Sequence, residues 1–232
     1  MLRQWAKLLS RTPLHPQWLL GGRHGPKGLE QVSGRLLDVG AADRWVESLV
    51  PAEVQYVALD YPATGKVLYG ARPHVFADAA SLPFVDRCFD AVTCLEVLEH
   101  VAEPELVMSE ISRVLKRGGR AWISTPFLYP LHDAPFDFQR YTEFGLRQNA
   151  KKAGLAVKSL QKDMHALRVA GLLVCLAIAG GAFAQRGIAR WFWLPVALVL
   201  VTVVNVCVWM LSFLWPDWSH MSRGYRVELL KE

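Results

Sequence analysis

The stretch Arg35–Arg44, reading Arg-Leu-Leu-Asp-Val-Gly-Ala-Ala-Asp-Arg, constrains the fold of this chain more than any other. Leu36, Leu37 and Val39 make a short apolar run that stops at a turn of small residues. A buried parallel strand looks like this where it ends in a tight turn and feeds a helix. Gly40 lets the backbone turn sharply, and Ala41 and Ala42 keep the turn thin. In an open α/β sheet, a thin turn at the carboxyl end of the first strand is where a nucleotide-like ligand is held.

From Arg35 onward the pattern alternates. Strands are expected at Leu36–Val39, Val54–Leu59, His74–Ala77, Ala91–Cys94 and Ala121–Ser124, with helices starting at Trp45 and spanning Pro104–Leu115. Lys116–Gly119 is a basic-then-glycine stop signal. A further helix runs from Thr142 to about Lys152 and stops at Gly154. Leu155–Leu160 is a sixth strand and Tyr225–Leu230 a seventh. This alternation predicts an α/β fold: a doubly wound, mostly parallel seven-stranded sheet with helices on both faces.

Between the last two strands lies the greasiest part of the chain. Trp191–Trp215 is 25 residues without one Asp, Glu, Lys or Arg, and Val169–Ala184 is 16 residues of similar character. As helices they would be about 37 Å and about 24 Å long at ~1.5 Å per residue, against a hydrocarbon core of about 30 Å. Trp191, Trp193 and Trp215 mark the ends of the longer one, as interfacial aromatics do. Joined through Gln185–Arg190, the two make an apolar hairpin that returns the chain to the side it left. Three segments are therefore expected: an N-terminal helix and lead-in over 1–30, a sheet domain over 31–162 and 219–232, and a two-helix membrane-associated insertion over 163–218. Membrane contact is assigned to residues 169–184 and 191–215. Met1–Arg11, with Leu2, Trp5, Leu8 and Leu9 near one helical face, is either a short helix on anionic lipid or a helix packed on the domain.

The net charge of +5 comes without a dense basic run or the aromatic interleaving of a nucleic-acid groove, so nucleic acid is not an expected partner. Lysines and arginines on the sheet-side flanks outnumber the two in the hairpin loop, which places the sheet on the cytoplasmic side of an inner membrane. The two loop arginines keep open a shallow hairpin in one leaflet, and a buried helical pair of a soluble protein is the remaining reading. Cys88, Cys94, Cys175 and Cys207 form no Cys-x-x-Cys pair and read as thiols of a reducing compartment; no metal is expected.

Three acids close three successive strands: Asp38, Asp60 and Asp78. Asp60 lies 22 residues after Asp38, where a carboxylate accepts ribose hydroxyls in a doubly wound sheet. Each acid alone has a turn-forming explanation; three in series behind a glycine turn point to an adenosine-binding rim.

These residues carry a family resemblance. Asp38-Val39-Gly40-Ala41-Ala42, then Asp60, then Ala77-Asp78-Ala79-Ala80-Ser81-Leu82-Pro83-Phe84 resembles the class I S-adenosylmethionine-dependent methyltransferases. Phe89–Val101, with its Glu96-Val97-Leu98-Glu99-His100-Val101, and Leu115-Lys116-Arg117-Gly118-Gly119 are similar to that family's fourth strand and the turn before its fifth. The resemblance spans roughly Arg35–Leu160 plus the last strand. It implies S-adenosylmethionine as cofactor, with Gly40 and Ala42 beside its methionine part and Asp38 anchoring it. Asp60 and Tyr61 would then meet the ribose, Asp78 and Ala79 the adenine, and Cys94, Leu95 and Glu96 the methionine end. Cys94 and Leu95 have strand-end packing as the competing explanation. The sequence departs from the family's Gly-x-Gly-x-Gly at Ala42 and at Arg44, whose bulk gives it no binding role.

After the fifth strand, His132-Asp133-Ala134-Pro135-Phe136-Asp137-Phe138-Gln139-Arg140-Tyr141-Thr142 resembles a pattern of small-molecule members. His132 is the candidate general base, with a turn cap as its alternative. Asp137 and Arg140 either orient the acceptor or pair to brace the loop. His100 is the other candidate base, but in its Glu-His-Val setting it reads as packing on the fourth helix. The implied function is methyl transfer to a small or lipid-linked acceptor at a membrane, such as a polyprenyl-linked sugar or a quinone precursor. The alternatives are a non-catalytic membrane-tethered scaffold and a nicotinamide-dependent oxidoreductase. Asp43, standing where the third glycine of Gly-x-Gly-x-x-Gly would, disfavours the oxidoreductase.

Overall fold

A computed structural model describes residues 11–65 and 72–232. The helix expected over Met1–Arg11 lies, but for its last residue, outside them. The described chain falls into two compact units, one comprising 24–127, 131–162 and 224–232, the other the stretch up to Arg23 together with 128–130 and 163–223. The lead-in is thus divided at Arg23.

The first unit holds seven strands: β1 Arg35–Val39, β2 Gln55–Asp60, β3 Val75–Phe76, β4 Phe89–Leu95, β5 Leu115–Pro126, β6 Leu155–Lys162 and β7 Gly224–Lys231. Their order is β3-β2-β1-β4-β5-β7-β6. β1 to β5 pair in parallel, and β7 runs antiparallel to both neighbours. The doubly wound, mostly parallel sheet is therefore present. Its strands alternate by face, as a period of two requires. Leu37, Val39, Val92, Cys94, Ala121 and Ile123 enter one core, completed by Val107, Met108, Ile111 and Val114 of α1 (Pro104–Val114) and by Leu146 and Ala150 of α2 (Glu143–Lys152).

The opposite face departs from expectation. Leu36, Ala91 and Trp122 meet Leu29, Val32, Val46 and Val54 there. These come from single 3-10 turns, Leu29–Gln31 and Trp45–Leu49, and the loops beside them, not from full helices. Pro51 explains the short second turn: the residue before a proline is driven out of the helical region, and Val50 is extended. The expected turn at Lys116–Gly119 lies inside the span of β5. The ladder passes from Phe89↔Leu115 to Ala91↔Arg120, so those four residues are looped out of register.

The second unit is built on α3 Ala166–Ala184 and α4 Gly187–Leu214. The connection is shorter than Gln185–Arg190, because α4 already starts at Gly187. Arg190 closes the turn, donating to Gln185 O at 2.9 Å and Phe183 O at 2.8 Å, the carbonyls a helix end leaves unpaired. A side chain at Gly171 would strike Val208 at 2.8 Å and Leu19 at 3.0 Å, so the glycine lets α3, α4 and the lead-in approach closely. Asn205, fully buried on α4, donates to Pro13 O at 2.7 Å and His15 O at 3.0 Å. Trp191, Phe192, Trp193, Val199, Val203, Phe213 and Leu214 remain exposed on α4, as does Trp215 just after it.

Candidate active site

The carboxyl edge of the sheet gathers the acids in a staircase set by register. Asp38 faces Ala58, so Asp60 ends β2 two residues further on; Asp60 faces Phe76, so Asp78 follows β3 by the same step. The Ala77 amide donates to Asp60 O at 3.1 Å, tying the second and third steps together.

The first turn is as tight as its sequence implies. Gly40 has φ +72°, and a Cβ there would lie 2.3 Å from Val97 Cγ2. Both Gly40 and Ala41 amides donate to Leu59 O, at 2.9 and 3.0 Å. Ala42 itself has φ +43° and donates to Asp60 Oδ2 at 2.9 Å. Arg44 is turned away, paired with Glu47 at 2.7 Å with its guanidinium 5.7 Å from the Tyr56 ring.

The three acids differ in environment. Asp38 is 2% exposed, its oxygens taken by Tyr56 Oη at 2.5 Å and Thr93 Oγ1 at 2.7 Å. Burial pushes its carboxyl up to about 6, against the two hydroxyl donors that favour the anion. It is a buried brace beneath the rim. Asp60 accepts from the Ala42 and Tyr61 amides, at 2.9 and 2.8 Å, and the turn at Tyr61–Gly65 lies over it. Burial raises its carboxyl as well. Asp78 is exposed and accepts from the Ala80 amide at 2.8 Å, while Ala79 is buried in the main core. Tyr61 is exposed.

Cys94 and Leu95 pack into the two opposite cores, the strand-end reading weighed for them. Glu96 stands at φ +57° with its amide donating to Ser124 O at 2.9 Å. Positive φ in a non-glycine residue marks a site where the surroundings hold strain.

On the acceptor side, Asp137 and Arg140 form a two-point pair at 2.5 and 2.8 Å. That pairing, with the His132 amide bond next in weight, holds Asp137 well below the usual carboxylate range. Asp137 also accepts from the His132 amide at 2.9 Å and lies 3.2 Å from His132 Nδ1. The loop is therefore braced, and the brace fixes His132. His100 is not simply packed: its ring meets His132 edge-on at 4.8 Å between centroids, and its Nδ1 lies 2.7 Å from Phe136 O. Glu99 is fully buried with neither carboxylate oxygen hydrogen-bonded. Sequence reasoning gave no role to Tyr56, Thr93 or Glu99, and read His100 as packing. For Glu99 the signal was present: an acid inside Val97–Val101, directly after an apolar strand.

Residues 37–123 match the family model described as a methyltransferase domain. The domain belongs to the class I S-adenosylmethionine-dependent methyltransferases. Among curated proteins it is similar to a ubiquinone biosynthesis O-methyltransferase of Xanthomonas oryzae pv. oryzae, 36% identical over 107 residues, covering 42% of this chain and 45% of that protein. A demethylmenaquinone methyltransferase of Renibacterium salmoninarum is 36% identical over 119 residues, covering 49% and 48%. The chain spans about half the length of the curated relatives it matches. Phosphoethanolamine N-methyltransferase 2 of Haemonchus contortus, solved with S-adenosyl-L-methionine, shares the fold with TM-score 0.52 and 16% identity over 97% of this chain and 59% of that one.

S-adenosylmethionine is the cofactor of this methyltransferase domain, and the donor set fits it. Each Asp60 oxygen accepts one amide and keeps a lone pair for a ribose hydroxyl. Gly40 lets the Val97 side chain close against the first turn, since a Cβ there would lie 2.3 Å from Val97 Cγ2. Asp60 is 5% exposed beneath the turn at Tyr61–Gly65.

Proposed function

We propose that the chain methylates a small, quinone-type or lipid-linked acceptor at the cytoplasmic face of a membrane, anchored there by its α3–α4 hairpin. The observation that carries the reaction is the staircase of Asp38, Asp60 and Asp78 behind the Gly40 turn, within the segment that matches the methyltransferase domain. The names of the two curated relatives support the quinone-type acceptor. Two helices long and apolar enough to cross a membrane, one with most of its surface bare, support the anchor.

Bound S-adenosylmethionine supplies a methyl group already activated on a sulfonium, so the protein mainly aligns donor with acceptor. Asp60 grips the ribose, and Gly40 and Ala42 give the cofactor's tail room. The loop after β5, stiffened by Asp137 and Arg140, presents His132 to the acceptor.

Calorimetric titration of the full chain with S-adenosylmethionine tests the first half of this reading. A chain that releases no heat and is not thermally stabilised is the tethered scaffold instead. Mass spectrometry of lipid extracts, with and without the protein, then identifies an acceptor by its gain of one methylene mass.

A further inference from the structure

We propose that Glu99, His100 and His132 form a divalent-metal site on the acceptor side of the sheet. One potential ligand atom from each of the three lies within 4.8 Å of the other two. No metal was expected from the sequence, whose cysteines form no Cys-x-x-Cys pair; these ligands come from two separate loops.

Three features of the geometry favour a cation over an incidental cluster. First, a carbonyl only accepts, so the His100 Nδ1 beside Phe136 O carries a proton, and in the neutral imidazole the lone pair is then on Nε2. Second, Asp137 stands in the same relation to His132 Nδ1 at 3.2 Å, and Arg140 locks Asp137 in place. A histidine whose far nitrogen is held by an oxygen acceptor is how proteins orient imidazole ligands. Third, the Glu99 carboxylate is sealed from solvent, with both oxygens lacking a hydrogen-bond partner. The closest positively chargeable group recorded for it, His100 Nε2, is 3.8 Å away, too far for a hydrogen bond. Buried carboxylates are paired, protonated or bound to a metal. A cation between Glu99 and the two imidazoles gives the Glu99 carboxylate the partner it lacks.

Two imidazoles and one carboxylate suit a first-row divalent ion such as Mn2+ or Zn2+. Ligand atoms on one such ion, at about 2.0–2.2 Å from it, stand about 3–3.5 Å apart, so binding draws the widest pair, at up to 4.8 Å, together by about 1.5 Å. His132 sits on a loop and His100 at the end of a single turn, Leu98–His100, where such a shift is small.

The use of the ion rests on the proposed methyl transfer; the site itself does not. A cation here lowers the pKa of an acceptor hydroxyl beside it. The hydroxyl proton passes to water, and the oxygen attacks the methyl carbon. The new O–C bond forms as the S–C bond breaks, and its electron pair goes to sulfur. The acceptor atom is then an oxygen, and His132 serves as a ligand; its lone pair cannot also be the general base.

The test uses the full chain, stripped with chelator and titrated with Mn2+, the unbound ion being followed by electron paramagnetic resonance. One equivalent is expected to bind, with Glu99→Gln and His100→Gln each at least about tenfold weaker and Asp137→Asn weaker by about 10-fold or more. S-adenosylmethionine is titrated separately into the same proteins and is expected to bind Glu99→Gln as it binds the wild type, which shows that the variant is folded. Wild-type protein without saturable Mn2+ binding overturns the site, as do Glu99→Gln and His100→Gln proteins that bind Mn2+ as the wild type does. Metal binding without cofactor binding retains the site and removes the methyltransferase reading; cofactor binding without metal does the reverse.

Discussion

Asp38 illustrates how burial changes the task of a carboxylate. Its folded-state pKa of about 6 stands above the ordinary value of 3.8, so between those limits the folded chain holds more proton than the unfolded one. Stability therefore falls as pH rises from 4 to 6, by up to about 3 kcal/mol at neutral pH. Denaturant titrations at pH 4.5 and 7.5 should show the wild type gaining stability on acidification, and Asp38→Asn should lose most of that gain. Asp60 has a double duty, holding the Ala42 and Tyr61 amides while facing the ribose position. Asp60→Ala should weaken S-adenosylmethionine binding at least about tenfold by calorimetry, since a charge-assisted hydrogen bond contributes about 1.5–3 kcal/mol. Normal cofactor binding by that variant would refute the ribose placement. The aspartates were legible because strand-end acids stand out against apolar runs. Tyr56 and Thr93 were not, because a hydroxyl in a strand gives no hint that its cross-strand neighbour is a buried carboxylate.

At the scale of elements, local chemistry decided where most segments begin and end. Thr142 caps α2, its hydroxyl accepting from the Gly145 amide at 3.2 Å, and Gly154 follows the helix at φ +68°. Thr142→Ala should cost about 1 kcal/mol of stability in a denaturant titration, with cofactor affinity little changed. The apolar helices are longer than their charge-free cores, because Arg168 and Arg190 lie within them. Arg168 donates to Ser212 Oγ at 2.9 Å and lies 5.3 Å from the Phe213 ring, so its charge is accommodated inside the helical pair. Counting uncharged residues therefore underestimates each of these helices by three residues, a little less than a turn. The region after β1 went the other way: a helical pattern at Trp45 yielded a single turn, because Pro51 and the left-handed Arg44 bound it on either side.

For the whole molecule, the hairpin is the feature that separates an anchored enzyme from a soluble one. Membranes bearing the chain, washed with alkaline carbonate, should retain it in the pellet; release to the supernatant would remove the membrane-embedded reading. The sequence by itself determined the sheet's parallel core, the three acids along its edge and the two apolar helices, since each is written in a period or a punctuation of a few residues. Tertiary structure alone decided the convergence of Glu99, His100 and His132. β4 and β5 are neighbours and run parallel, so the turn after one and the loop after the other emerge at the same edge. There the Phe138 amide donates to Glu99 O at 2.8 Å and Gln139 Nε2 to Val101 O at 2.9 Å, fastening loop to turn. No local pattern encodes that meeting, because it depends on which strands lie side by side.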